Sequence, residues 1–599
     1  MPHHHSSMTH TAIIIDGVNN LPEALFCAAK QHASEPAQWF RDHNGYQAIT
    51  YAEMEARIKH IACGLIRTGV EAGDRIALLM ENRPEWAVID YAILSIGAVT
   101  VPLYCTYNTQ DISQVLNDSG AIICITSDGK LLQNIIEASK QCPCIQRMYA
   151  ITNSCCSDKV ALIADLESAD IEKQTLQQRL NSIDRDTLAT LAYTSGTTAQ
   201  PKGVMLSHGN ILSNLASVPP SITLDSGSNG DRFLSFLPLA HMLERTGGHF
   251  LPYTFGLSVA FAERPDTIAK NMVESHPSVM VVVPRMLEVM RARILAQLKL
   301  QPLMQQKMFN IYMGRAKKKK NDLFAASFLL LLDRIVGRKI RSRFGGRLRA
   351  FISGGAPLPI DIAEFFEALG IPVMEGYGLT ESAPLLAVNP MSDRRAGTVG
   401  IAGKGVELHL ADDGEVLARG PNIMIGYWNN KEASEEALID GWLHTGDIGF
   451  ICPDGYLTIT DRKKDIIINS GGENISPQRV EAALIAHPKI DQCVIYGDQK
   501  PYLIALITPN KEACISWAQK QGLPASDWQS LCESEILKKH LQSSINTILK
   551  PLNPFEHVRR IHLRHEPFSI ESGTLTPTMK LKRRIIYARY ADIITSLYN

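Results

Sequence analysis

The sequence predicts an α/β chain built from more than one domain, and three observations carry that expectation. Helix-period and strand-like segments alternate from about Leu21 to Asp128, and strand, helix, strand in succession implies mainly parallel sheets covered by helices. The length of 599 residues exceeds what one hydrophobic core sustains and corresponds to roughly four domain-sized units. The pattern then changes near Asp461, where the charged run Arg462-Lys-Lys-Asp465 precedes about 135 residues of helix and strand signals, a usual size for an independent α+β unit.

Within the first part, Tyr51 to Arg67 carries apolar residues at helical spacing and is followed by Gly69 and Gly73, while Arg75 to Met80 reads as a buried strand. Ala98 to Leu103 and Ala121 to Thr126 are further strands. Tyr193-Thr-Ser-Gly-Thr-Thr-Ala-Gln-Pro-Lys-Gly203 is rich in glycine and hydroxyls with a single lysine, the chemistry that wraps an anionic phosphate chain. It is not a Walker A loop, because Pro201 precedes Lys202 and Gly203 follows it. Taken alone, the stretch reads equally well as a polar turn between Thr187–Ala192 and Val204–Leu206.

Ser207 opens a helix, and Phe233 to His241 reads as a strand ending in a histidine that, by itself, is a hydrogen-bonded structural group. Met280 to Pro284 leads into a helix from Arg285. Gln301 to Arg349 is basic and helical, with Lys317 to Lys320 consecutive and Phe328 to Leu332 apolar. Such a stretch either lies on an anionic membrane, each surface lysine adding ~1 kcal/mol, or is a solvated helical face over the core. Arg349 to Ser353 is a strand, and the helix from Ile360 follows Gly354-Gly355. Two glycines at the carboxyl end of a strand let a flat ring approach the backbone, and open parallel sheets bind ligands at that end. After Asp461, Pro477 starts a helix, and Cys493–Tyr496 and Leu503–Thr508 are strands.

Composition excludes several classes. A hydrophobic fraction of 45% with 20% charged residues is that of a soluble globular enzyme. The net charge of −1 gives no global attraction for nucleic acid, so any polyanion site is local. The 12 cysteines show no repeated metal-ligand spacing; their close pairs, Cys142-Pro-Cys144 and Cys155-Cys156, are expected as free thiols in a reducing cytosol, a zinc site being the alternative. Met1 to Met8 lacks the apolar core of a signal peptide. The longest uncharged apolar stretches, Tyr91–Cys105 and Leu323–Leu332, fall short of the ~18–20 residues of a spanning helix, so the chain is expected to be soluble or at most to sit on a membrane surface.

Five stretches in one order change the weight of the isolated signals: Tyr193-Thr-Ser-Gly-Thr-Thr198, Gly376-Tyr-Gly-Leu-Thr-Glu381, Thr445-Gly-Asp447, Asp461-Arg-Lys-Lys-Asp465 and Thr576-Pro-Thr-Met-Lys580. From about Tyr46 to Lys580 the chain resembles the AMP-forming acyl/aryl-CoA synthetase, adenylation-domain and luciferase superfamily. The resemblance implies an α/β N-terminal domain, residues 1–462, of helix-covered mainly parallel sheets plus a β-barrel-like subdomain. A small mobile α+β C-terminal domain, residues 463–599, would turn about Lys464. It implies ATP, Mg2+ and coenzyme A as cofactor and co-substrates, and a carboxylate as the molecule activated.

By resemblance, Thr194, Ser195, Gly196, Thr197, Thr198 and Lys202 hold the phosphates. Gly354, Gly355 and Ala356 stand where the adenine lies, with Tyr377 on its other face, and Glu375, Gly376 and Gly378 also belong to the nucleotide site. Thr380 touches the α-phosphate, Glu381 and Thr194 ligate the metal, Asp447 and Arg462 hold the ribose, and His241 lies over the carboxylate. Lys580 is the catalytic lysine, with Lys582 the alternative register, and Gly471-Gly-Glu473 approaches the site in the second half-reaction.

Two positions depart from the superfamily pattern. Ala199 stands where the loop usually has glycine, and Met579 where glycine usually precedes the late lysine. The second departure, with Leu237-Pro-Leu-Ala-His-Met-Leu-Glu-Arg245, resembles long-chain fatty acyl-CoA synthetases. The expected function is therefore ligation of a long-chain fatty acid to CoA through acyl-AMP. An acyl-AMP ligase serving a carrier protein and a catalytically silent lipid-binding scaffold are the alternatives. The expected partners are small molecules and no nucleic acid, in the cytoplasm or peripherally on the inner face of a membrane; acyl chain length and oligomeric state are left open.

Overall fold

The computed structural model describes residues 15, 17–152, 159–167, 172–194, 201–218, 221–227, 230–316, 330–524, 527–576 and 580–599. The helix-period segment after Thr50 forms the helix Tyr51–Arg67. It starts there because Thr50 accepts from the Glu53 N–H at 3.2 Å while the Glu53 carboxylate accepts from the Thr50 N–H at 2.8 Å, a reciprocal cap. Tyr51, Met54, Ile58, Ile61 and Leu65 then form its buried stripe.

The strands Arg75–Leu79, Val99–Pro102 and Ile123–Thr126 are nearly continuous buried apolar runs, as parallel strands covered on both faces must be. They lie in the middle of an eight-stranded sheet. One end of it is the antiparallel hairpin of Leu188–Thr194 with Lys202–Ser207, to which Gly426–Tyr427 adds as edge. A second sheet of nine strands contains Arg232–Ser235, Val279–Val282, Ala350–Ser353 and Val373–Gly378, each parallel to its neighbour. Ser353 and Glu375 are register partners, so Gly354, just after the first strand, emerges beside Gly376 of the second.

A third, five-stranded sheet is antiparallel throughout and stands in the place of the β-barrel-like subdomain. Its long strand Trp442–Ile451 pairs with Leu457–Arg462, bringing Asp447 opposite Arg462. Beyond it, a smaller α+β domain holds a three-stranded sheet, with Ile490–Tyr496 antiparallel to Leu503–Pro509 and Val558–Leu563 parallel to it. The helices Pro477–Ile485 and Glu535–Leu549 contribute Val480, Leu484, Leu541 and Ile545 to that domain's separate core.

One expectation is corrected. Phe233 to His241 is not a single strand: Arg232–Ser235 is, after which the chain leaves the sheet, held by Asn82, whose side chain donates to the Ser235 hydroxyl and the Leu237 carbonyl. Pro238 lacks the N–H that a ladder requires, and His241 instead caps the short helix Met242–Glu244.

The basic stretch is helical over Leu303–Ala316, which buries Phe309, Tyr312 and Met313, and again at Arg338–Arg341; Lys317 to Lys320 lie outside the described residues. Tyr91–Cys105 splits between the helix Pro84–Ser95 and the strand Val99–Pro102. No helix among the described residues is long and apolar enough to cross a membrane.

Candidate active site

Thr194 and Lys202 face each other as register partners at the open end of the hairpin Leu188–Thr194/Lys202–Ser207. The intervening Ser195, Gly196, Thr197, Thr198 and Ala199 lie outside the described residues. The base of the hairpin is braced from below: the Tyr193 hydroxyl donates to the Asp118 carboxylate at 2.5 Å, and the Trp428 indole donates to the Asp118 carbonyl at 3.0 Å. Lys202 extends over the ring of Tyr427, 4.8 Å from its centroid, and the Tyr427 hydroxyl donates to Glu381 at 2.8 Å. A lysine, an aromatic face and a carboxylate are thereby linked beside the loop.

Sequence reasoning missed Tyr427. The only signal was an aromatic pair after a glycine, Gly426-Tyr-Trp428, which cannot be told from ordinary packing without the hairpin it leans on.

Gly354 and Gly355 leave the end of Ala350–Ser353 beside Gly376 and Tyr377, with Gly355 in the left-handed region at φ +84° and, like Ala356, exposed. Gly378 admits no side chain, since a β-carbon there would lie 1.7 Å from the Pro384 carbonyl oxygen. Burial pushes the Glu375 carboxyl up to about 8, against a hydrogen bond from the Gly397 backbone, so at neutral pH it carries little negative charge.

Tyr377 is buried and donates through its hydroxyl to Asp447 at 2.8 Å; Arg462 meets the other carboxylate oxygen at 2.8 Å. Burial outweighs these partners and raises the Asp447 carboxyl above its ordinary value, although Arg462, Tyr377 and Lys580 all oppose the shift. Thr380 and Glu381 follow in a tight turn after Val373–Gly378, both half-buried.

The second domain delivers Lys580 to this cluster. Thr576 and Lys580 exchange two hydrogen bonds, Thr576 N–H to the Lys580 carbonyl at 2.8 Å and Lys580 N–H to the Thr576 hydroxyl at 3.0 Å. Lys580 is exposed as a residue, and its ammonium interacts with the charges of Arg462, Asp447 and Glu381. Desolvation followed by the Arg462 charge lowers its pKa, while Asp447 and Glu381 act the other way. Lys582 instead stands at the start of the helix Arg583–Arg589.

His241 also feels the Lys580 charge; burial, then Lys580, brings its imidazole down to about 4, so the ring is neutral. Its Nδ1 accepts from the Leu243 N–H at 3.2 Å, which leaves the proton on Nε2 as a donor. Leu243, on the same helical turn, would touch a β-carbon on Gly354 at 3.3 Å. Thr194, Lys202, Gly354, Tyr377, Glu381, Asp447, Arg462, Lys580 and His241 are thus brought to one cleft by two sheets, a hairpin and a second domain.

The family model of AMP-binding enzymes matches residues 25–428, and that of the AMP-binding enzyme C-terminal domain matches residues 464–599. The chain belongs to the AMP-binding enzyme family. A long-chain-fatty-acid–CoA ligase of Mycobacterium bovis is 35% identical to this AMP-binding enzyme over 92% of each chain. Long-chain-fatty-acid–CoA ligase 1 of Homo sapiens is 30% identical over 96% of this chain and 84% of its own. Among solved structures, the adenylation domain of a carboxylate reductase from Mycobacterium chelonae superposes with a TM-score of 0.76 over 98% of this chain and 93% of its own; at 21% identity it shares the fold.

Behind His241 this AMP-binding enzyme buries an ionic cluster that the sequence did not announce. Arg245, on a π-helical turn Arg245–Phe250, donates to Asp90 at 2.5 and 3.1 Å and to the Thr190 hydroxyl at 2.6 Å. His249 shares the Asp90 carboxylate at 3.1 Å, and the Thr100 hydroxyl donates to it at 2.8 Å. Burial alone would push the Asp90 carboxyl up, but Arg245 and His249 win and hold it at about 2. Thr100 and Thr190 are on strands of the eight-stranded sheet, whereas the π-helical turn follows a strand of the nine-stranded one, so the cluster ties the wall that carries His241 to the eight-stranded sheet.

Proposed function

We propose that this enzyme activates a long-chain fatty acid with ATP, giving acyl-AMP and pyrophosphate, and then transfers the acyl group to the thiol of CoA with release of AMP. The observation that carries this reading is the meeting of Lys580 with Asp447, Arg462, Glu381 and His241 in one cleft between two domains. The identity to long-chain fatty acid–CoA ligases over most of the chain supports the choice of acid.

In the first step a carboxylate oxygen bonds to the α-phosphorus while the bond to pyrophosphate breaks, its electrons leaving with pyrophosphate. Two anions must approach, so the site has to lower the charge between them. Lys202 and the hairpin loop take the outer phosphates, and Lys580 reaches the oxygens of the reacting phosphate. Asp447 accepts from the ribose hydroxyls while Arg462 and Tyr377 hold its carboxylate in place. The neutral His241 offers Nε2–H to the carboxylate without fixing it as an ion pair.

Mg2+ fits the donors present. Glu381 keeps one carboxylate oxygen clear of Tyr427, and no group of three or more His, Cys, Asp or Glu among the described residues forms a closed cage. That suits a cation that retains waters and takes most remaining ligands from phosphate. Bound through Glu381 and Thr194, it would neutralise phosphate charge.

The second step needs a different arrangement, because Gly471-Gly472-Glu473 is exposed to solvent while Lys580 occupies the cleft. We take the turning point to be Lys464: its neighbour Lys463 is tied to the first domain through Asp413 at 2.6 Å and Glu415 at 2.9 Å, and Lys464 is exposed. A panel of short- to long-chain acids assayed for AMP release with and without CoA tests the whole reading. CoA-dependent release greatest with long-chain acids is expected. Acyl-AMP without thioester would move the assignment to a carrier-protein ligase, and no pyrophosphate exchange into ATP with any acid would move it to a silent scaffold.

A peripheral membrane contact belongs to the same proposal. The face of Leu303–Ala316 opposite its core residues presents Leu303 (75% exposed), Met304 (73%) and Ile311 (47%) around Lys307, on a helix without an acidic residue. Apolar side chains interleaved with a cation match an anionic bilayer surface. Sedimentation with phosphatidylglycerol-containing vesicles should fall several-fold in Leu303→Glu/Met304→Glu, with little binding to purely zwitterionic vesicles. Equal sedimentation of both proteins would remove the idea.

A further inference from the structure

Arg285 lies at the rim of the nucleotide cleft, on the first turn of the helix Pro284–Lys299. The preceding strand Val279–Val282 runs beside Ala350–Ser353, whose end carries Gly354 and Gly355. Its guanidinium is shared: Nη1 meets Glu288 of its own helix at 3.0 Å, and Nη2 meets Asp491 of the C-terminal domain at 2.6 Å. Asp491 stands at the start of Ile490–Tyr496, next to Gln492. The Gln492 amide donates to the Phe568 carbonyl at 3.0 Å and accepts from the Phe568 N–H at 2.6 Å. Phe568 is buried, 2% exposed, and roots the segment that runs to Lys580.

A chain of direct contacts therefore runs from the rim of the first domain to the base of the segment bearing Lys580. We propose that Arg285 and Asp491 form a reversible latch that selects the orientation in which Lys580 is in the cleft, making both of them positioning residues for the first half-reaction. The inference rests on the two-step reading above.

Two features make the latch releasable. Both side chains are partly exposed, 47% and 34%, so water can replace the pair when the domain turns. Arg285 also keeps Glu288 after Asp491 departs, so no guanidinium is stranded. An exposed pair of this kind shifts an equilibrium by about two- to five-fold, enough to bias two orientations without locking either.

The test measures the two half-reactions separately on the full chain: pyrophosphate exchange into ATP, and thioester formation from supplied acyl-AMP and CoA. Asp491→Asn and Arg285→Gln should each lower exchange about two- to five-fold and leave thioester formation unchanged or faster. The exchanged pair Arg285→Asp/Asp491→Arg should recover exchange, and added salt should slow exchange in the wild type more than in Asp491→Asn. Equal loss in both half-reactions, or no change in either, overturns the latch. A wild-type protein that does not exchange pyrophosphate at all overturns the two-step reading instead, so the two failures are distinguishable.

Discussion

Lys580→Ala should lower acyl-adenylate formation by about 10²–10³, the cost of removing one donor aimed at developing charge. The side chain is exposed to the cleft and is not part of a packed core, so the variant should fold with the wild-type melting temperature. Its loss should also be confined to one step. Thioester formation from supplied acyl-AMP should be near normal, because in the proposed two-step reaction it follows departure of pyrophosphate and a turn of the C-terminal domain. Lys582→Ala should affect exchange far less, since it is Lys580 whose charge interacts with Arg462, Asp447 and Glu381, while Lys582 begins a helix. Pyrophosphate exchange with a saturating acid checks both variants; a Lys580→Ala enzyme that exchanges at the wild-type rate removes this residue from the mechanism.

The second large effect is on stability. Arg245→Leu should destabilise the N-terminal domain by about 3–5 kcal/mol, because it leaves the Asp90 carboxylate buried without its main counter-charge. Both side chains are fully buried, so bulk solvent does not screen the carboxylate in place of the guanidinium. Asp90→Asn/Arg245→Leu should recover part of the loss, since it removes both charges together. Calorimetry of the N-terminal transition measures each.

The pH dependence follows from the same carboxyl. Its folded pKa near 2 lies below the usual 3.8, so the stabilisation is fully present above about pH 4 and is lost as pH falls through 2. Arg245→Leu should accordingly show a weaker acid-induced loss than the wild type. Equal stability of Arg245→Leu and wild type at pH 7 would show that the cluster contributes nothing net.

Much of the fold was legible because periodic burial is written locally. The Tyr51 to Arg67 stripe, the apolar runs at Arg75, Ala98 and Ala121, and the proline that starts Pro477–Ile485 need only neighbours a few residues away. Phe233 to His241 was misread because a continuous apolar run looks like a strand until Pro238 and the grip of Asn82 pull it off the sheet. Tyr427 was invisible for a similar reason: its role depends on Lys202 and Glu381, 225 and 46 positions away in the numbering.

The sequence by itself determined the family, through five short stretches in a fixed order. Only the tertiary structure decided which lysine enters the cleft, that His241 is neutral with its proton on Nε2, and that Arg245 is pinned to Asp90 instead of lying on the surface. Order along the chain is a one-dimensional property, whereas desolvation and Coulomb interaction depend on distances between segments that folding alone brings together.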